Sequence, residues 1–200
     1  MINFFRTISL TSSGAANLII DALLFEIAAF IAVPLAGIIV NSVIVSGIRR
    51  IVARIVGNKF EFILSNYFLF IGVVIHELSH ALFALITGAQ VTEVALFNPD
   101  GKSLGHVNFV PRGDTFVRAL QSSFSSCAPV VVGIISSYFI ITKLFPMLSE
   151  LWHWIVCIYI LVSIVFHMDM SPQDLKIYFK GAVPLLCIFL PISLILFFII

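Results

Sequence analysis

Charge is what this sequence has least of. Asp, Glu, Lys and Arg make up 10% of the 200 residues, against about 25% in soluble domains. So few polar side chains cannot coat a water-exposed globule, which excludes an ordinary soluble fold. The formal charge of +1, with one local basic cluster and no wider basic patch, gives nucleic acid nothing to bind. Cysteine is scarce as well. Cys127, Cys157 and Cys187 lie inside apolar runs without metal-ligand spacing, so they read as packing residues rather than a disulfide framework. No internal repeat and no low-complexity linker is present. The N-terminus lacks a signal-peptide pattern, because Arg6 is followed by a polar stretch over residues 7–17 and no small-residue cleavage site follows.

Apolar residues are in excess: 60% of the chain is hydrophobic, and twenty residues are Phe. A bilayer must solvate most of such a chain, and a spanning helix needs roughly 20 mostly apolar residues. The pattern predicts an all-α polytopic membrane protein of about five spans, forming a single domain over residues 1–200. The first apolar stretch covers residues 18–48, with Pro34 and Gly37 as expected bend points. Asp21 and Glu26 place its true start near Ile27 and themselves at the membrane interface. The second covers 62–86 and is ended by Gly88 as a C-terminal cap. The third covers 116–141 with Pro129 inside, the fourth 151–166, and the fifth starts at Pro172 and runs through 181–200. His153, between Trp152 and Trp154, reads as part of an aromatic interface belt.

The longest polar stretch, residues 89–114, separates the second and third spans. Segments 91–97 and 106–110 are rich in Val and Phe, and Asn98-Pro99-Asp100-Gly101 supplies turn chemistry between them. A small β-hairpin is expected. Orientation stays open, because the two sides carry six and five basic residues. One side has Arg6, Lys102, Arg112, Arg118, Lys176 and Lys180; the other has Arg49, Arg50, Arg54, Lys59 and Lys143.

The second span contains His76-Glu77-Leu78-Ser79-His80, an HExxH motif. Residues four apart share a helix face, so the two imidazoles can converge on one metal ion. Zinc accepts neutral His nitrogens at about 2.0–2.1 Å and keeps a position for water. Glu77 is placed to take a proton from that water. A lone helical His is usually a packed core residue, but here three polar groups crowd five residues of an apolar span. Each charged residue costs on the order of 2.5–3.5 kcal/mol at mid-membrane, and a shared cation offsets that cost. Gly72, His76, His80, Ala84 and Gly88 also fall on one i+4 stripe, where small residues admit a close neighbouring helix.

HELSH inside an apolar span, followed by a polar hairpin and Ala128-Pro129 in the next span, resembles the site-2 protease family of intramembrane zinc metalloproteases over residues 62–181. The resemblance implies one Zn2+ per chain held by His76, His80 and an Asp from a later helix. That family carries an Asn-Pro…Leu-Asp-Gly pattern there. Ser171-Pro172-Gln173-Asp174-Leu175 matches it in part, with Lys176 in place of Gly. Asp174 is the favoured ligand, with Asp169 and His167 as alternatives. Ser171 and Pro172 also make Asp174 part of a helix-capping box, a role compatible with ligation. The resemblance further implies a multi-pass protein of a bacterial or archaeal cell membrane, with the active site toward the cytosol. The local charge signal of the basic cluster points the other way.

The expected reaction is peptide-bond hydrolysis by metal-activated water, with Glu77 as acid/base, on membrane-protein or membrane-associated peptide substrates. Gly105, His106, Val107, Asn108 and Phe109 form the strand expected to capture an unwound substrate segment by β-augmentation; for His106 alone, an exposed strand position is the default. Two other classes compete. A catalytically silent zinc-binding module has no need of Glu77, and a metal transporter would show ligands on several spans or a His-rich loop. Nothing in the sequence bears on oligomeric state or on which protein is cleaved.

Overall fold

The computed structural model describes residues 15–96 and 104–199. Helix α1 (Ala15–Ile39) continues through a π-helical segment (Val40–Val45) into α2 (Ser46–Val56). The expected bend points lie inside α1, which stays α-helical across both, and the irregular turn comes later. Gly37 serves close packing instead: a Cβ there would sit 2.7 Å from Val130 Cγ2. Gly57, at φ +88°, ends α2 in a conformation few side chains tolerate.

The expected second span is one helical path with a break in it. Helix α3 (Asn58–Ile63) and a π segment (Leu64–Phe68) meet α4 (Phe70–Ile86) at Leu69, with a bend of 51°. No Gly or Pro stands at the break. The Phe68 carbonyl, released from the helical ladder, accepts the Tyr159 hydroxyl at 2.6 Å. Helix α4 ends where Gly88 predicts. With Gly88 at φ +88°, its N–H reaches the Leu85 carbonyl and the Ala89 N–H the Ala84 carbonyl, the bonding pattern of a Schellman cap.

Strands β1 (Gln90–Ala95) and β2 (His106–Val110) follow, paired antiparallel from Gln90 with Val110 to Ala95 with His106, with a bulge between Val91 and Glu93. The expected hairpin is present; its turn residues Asn98 to Gly101, and Phe97, lie outside the described residues. Helix α5 (Thr115–Phe139), capped by Asp114, carries Pro129 internally and continues through a π segment and a 3-10 turn to Met147. Helix α6 (Leu151–Phe166) follows, then α7 (Pro172–Lys180) and α8 (Ala182–Ile199), the last two bent by 59°.

Among the described residues the protein is mostly helical, with this one two-stranded sheet. Two described stretches, Ile20–Val56 and Thr115–Met147, are long and apolar enough to cross a membrane, and counting each bent pair as one span gives four. The one expected span left out of that count is the fourth, α6. Its 16 residues extend about 24 Å, short of a hydrocarbon core of about 30 Å.

Helix α4 packs between α5 and α6. Tyr159 meets Phe68, Ser163 meets Gly72 and His167 meets His76, so α6 runs parallel to α4. Buried serines make these approaches possible. Ser123 donates to the Tyr178 carbonyl at 3.1 Å, and a Cβ at Gly181 would overlap its hydroxyl. A core of Cys127, Val130, Met170, Tyr178 and Leu185 joins α5, α7 and α8, and Phe30 of α1 stacks on Tyr178 at 4.5 Å. Glu26 departs from its expected interfacial place: it is 6% exposed and accepts the Ser193 hydroxyl at 2.7 Å across α1 and α8.

Candidate active site

Both histidines of the HELSH stretch are oriented by backbone atoms of neighbouring helices. His76 Nδ1 lies 2.7 Å from the His167 carbonyl oxygen, and His80 Nδ1 lies 2.7 Å from that of Ser125. A carbonyl oxygen only accepts, so each Nδ1 carries the hydrogen and each Nε2 keeps a free lone pair. The two Nε2 atoms face one another at 3.2 Å. Lone pairs at that distance repel unless a proton or a metal cation lies between them. Two nitrogens bound to one zinc at tetrahedral angles stand about 3.3–3.4 Å apart. The pair therefore fits a shared zinc ion, with each opposite ring nitrogen already hydrogen-bonded to a backbone carbonyl.

The neighbours that hold these rings pack against the small-residue stripe. At Gly72 a Cβ would overlap the Ser163 carbonyl and the His167 ring, so only glycine lets α6 close on α4. Across α5, the Ser125 hydroxyl donates to the His80 carbonyl at 3.0 Å, returning the bond that its own carbonyl receives. Ala84 is fully buried further along the same face. The stripe was legible as a packing seam. The carbonyls that finish the site carry no residue-type signal, and no sequence pattern announces them.

Glu77 is buried, and the hairpin lies on top of it. A Cβ at Gly105 would stand 2.6 Å from Glu77 Cγ and 3.1 Å from Cδ, so the first residue of the expected substrate strand is in direct contact with the expected catalytic carboxylate. The base of the hairpin is fastened to the same helix: Gln121 donates to the Thr87 carbonyl at 2.9 Å and accepts the Arg112 N–H at 2.7 Å. His106 reaches Glu93 at 3.4 Å, and Asn108 donates to the same carboxylate at 2.9 Å, on an exposed face of the sheet. Val107 and Phe109 pair with Val94 and Val91. Among the described residues, β2 keeps one edge of the two-stranded sheet without a strand partner.

The three candidates for the third ligand separate clearly. Asp169 accepts the Asn41 side chain at 2.6 Å, tying the loop after α6 to the first helix. His167 offers its carbonyl to His76 and turns its own Nδ1 to the Ser163 carbonyl at 3.0 Å, leaving a buried Nε2 without a partner. Asp174 lies within electrostatic range of both Glu77 and His80. Its Oδ2 caps α7, accepting from the Ser171 N–H at 3.1 Å and hydroxyl at 2.6 Å, while Oδ1 takes no bond from the described residues. Among the described residues, no third His, Cys, Asp or Glu converges with His76 and His80 into a ready metal cluster.

No curated protein and no solved structure matches the chain. A protein-family model described as Peptidase M50B-like matches residues 50–199, a stretch that takes in the HELSH helix, the hairpin and every helix after it. The chain belongs to the Peptidase M50B-like family, and so to the site-2 proteases.

Proposed function

We propose that this protein is an intramembrane zinc endopeptidase, cleaving peptide bonds in or near membrane-spanning segments of other proteins. The family supplies the class, a membrane metalloprotease. The finer reading rests on one observation: two backbone-oriented imidazoles whose free Nε2 atoms stand 3.2 Å apart. His76 and His80 hold the zinc, and Asp174 is the third ligand, its capping bonds leaving Oδ1 for the metal. Zinc, when bound, polarises the scissile carbonyl and lowers the pKa of a bound water toward about 7. Glu77 takes the proton of the attacking water and delivers it to the leaving amine, so no covalent enzyme intermediate forms.

A membrane helix hides its carbonyls in its own hydrogen bonds, so substrate must unwind before it can react. The free edge of β2, over Gly105, His106, Val107, Asn108 and Phe109, is suited to receive the unwound segment. Its contact with Glu77 at Gly105 brings that segment to the acid/base.

The test compares zinc content and cleavage of a co-expressed single-span substrate in the parent, Glu77→Gln, His76→Ala and Asp174→Asn. Glu77→Gln keeps zinc and loses cleavage by about 10²–10⁴-fold. His76→Ala and Asp174→Asn lose zinc and cleavage together. Undiminished cleavage in Glu77→Gln would sink the proposal, and unchanged zinc in Asp174→Asn would move the third ligand elsewhere. A parent that binds zinc but cleaves nothing would favour the silent binding module.

A further inference from the structure

Helix α1 and the π segment after it precede the family-matched stretch, which begins at residue 50. They nevertheless touch the chain at two points that bracket Asp174. One is Tyr178, a helical turn after it, whose ring stacks on Phe30 at 4.5 Å and whose hydroxyl donates to the Phe30 carbonyl at 3.0 Å. The other is Asp169, in the loop before it, whose Oδ2 stands 2.6 Å from Asn41 Nδ2. A carboxylate only accepts, so the Asn41 amide is the donor.

The loop needs such a hold. Residues 168–171 belong to no helix or strand, yet a group of the candidate site stands at either end. Before them is the His167 carbonyl, bonded to His76 Nδ1, and after them is Asp174. Side chains fix the loop where backbone ladders do not. Met168 and Met170 are buried, and a Cβ at Gly133 would overlap the Met168 side chain. Between the two methionines, Asp169 reaches the first helix.

Two residues receive it there, one turn apart on the same side. A Cβ at Gly37 would stand 3.7 Å from Asp169 Cα, and Asn41 makes the hydrogen bond. Asn41 belongs to the π segment, and its carbonyl accepts both the N–H and, at 2.8 Å, the hydroxyl of Ser46. Such wide turns recur at functional sites. The neighbours of Asn41 in sequence are Ile38, Ile39 and Val40 before it and Val43, Ile44 and Val45 beyond Ser42. An amide in so apolar a run costs free energy unless it is partnered. Amide bonds between helices often serve as plain glue. This one is set apart by where it lands, two residues from the carbonyl that orients His76.

We propose that Asn41 is a positioning residue of the metal site. Through Asp169 it fixes the loop that holds the His167 carbonyl against His76 and sets Asp174 facing the histidines. Tyr178 already ties the far side of Asp174 to α1, and Asn41 ties the near side. The inference rests on the reading of His76, His80 and Asp174 as zinc ligands, and it makes a helix outside the family-matched residues part of the site.

Zinc affinity of the full chain, purified in detergent and measured by chelator competition, tests it. Asn41→Leu removes the donor and weakens zinc binding by about 10–100-fold. Asn41→Ala carries the same expectation should the leucine variant fail to fold. Asp169→Leu loses as much, and the double variant loses no more than either single one, because both remove one bond. Asp169→Asn keeps an acceptor for Asn41 and stays near the parent. Ser193→Ala loosens the same helix at Glu26 and leaves zinc affinity unchanged. Nitrogen-15 NMR of the metal-free chain gives a readout that needs no zinc. His76 is protonated on Nδ1 in the parent and becomes a mixture of tautomers in Asn41→Leu. Unchanged zinc affinity in the Asn41 variants overturns the proposal, and so does an equal loss in Ser193→Ala. Zinc lost in Asp169→Asn but kept in Asn41→Leu would overturn it too, by making Asp169 a ligand. A parent that binds no zinc would fail the ligand reading, and the NMR comparison then decides alone: an unaltered His76 tautomer in Asn41→Leu would refute the positioning role.

Discussion

At the scale of single residues, the site depends on close approach as much as on ligand chemistry. His76, Glu77 and His80 are recognisable because their spacing on a helix is chemistry written in residue types. The atoms that aim the two rings are the carbonyls of His167 and Ser125, and every residue has a carbonyl. Gly72 is the residue that lets one of them arrive. In Gly72→Ala the new methyl would meet the Ser163 backbone, which cannot swing aside as a side chain would. Helices α4 and α6 must separate, and His76 loses its oriented Nδ1–H bond. The expected cost is about 1–3 kcal/mol, seen as a lower unfolding temperature in detergent, together with less zinc per chain. Unchanged values of both would show that the contact does not set the ring.

Among the elements, the hairpin and the broken helix teach different things. The hairpin was legible from strand-forming segments on either side of a turn sequence, and its register only became clear in three dimensions. Asn108 and His106 both bond Glu93 and hold its carboxyl below the ordinary range. A carboxyl whose folded pKa is depressed contributes stability above its unfolded value, about 4.3, and loses that contribution as pH falls through the folded value. Hairpin amides should therefore lose protection, measured against their intrinsic exchange rates, as pH falls below about 4, and Glu93→Gln should flatten that part of the profile. An identical profile in the variant would remove Glu93 from the account.

The break at Leu69 had no such signature. Sequence reading expects an uninterrupted helix over residues 62–86, because no Pro lies in it and its one Gly, Gly72, falls beyond the break. It breaks because a partner on another helix, the Tyr159 hydroxyl, satisfies the carbonyl that the break releases. Tyr159→Phe leaves that carbonyl without its donor, and a cost of about 1–3 kcal/mol should appear as a lower unfolding temperature. No change would mean that the bend is held by packing alone.

For the whole molecule, the open question is how the parts sit across the bilayer. Lys and Arg divide six against five and decide nothing. The fold offers a sharper statement: α4, with its bent partner α3, carries the basic end of α2 before it and the hairpin after it. If that bent pair is one span, the basic cluster and the hairpin lie on opposite faces. Cysteines placed at Arg54 and Thr92, in a background lacking Cys127, Cys157 and Cys187, should react with a membrane-impermeant maleimide from opposite sides. Labelling of both from one side would refute the single-span reading of α3 and α4.

The sequence alone determined the apolar surroundings, the helical class, the hairpin and the HExxH spacing. Each of these follows from composition or from a local period, and local physics is what a linear pattern records. Only the tertiary structure decided that Glu26 is buried against Ser193, that Gly105 lies on Glu77, that Asp169 is taken by Asn41, and that Asp174 comes within electrostatic range of His80. These relations join residues far apart in the chain through backbone atoms and shared space. No residue type marks them until the helices pack.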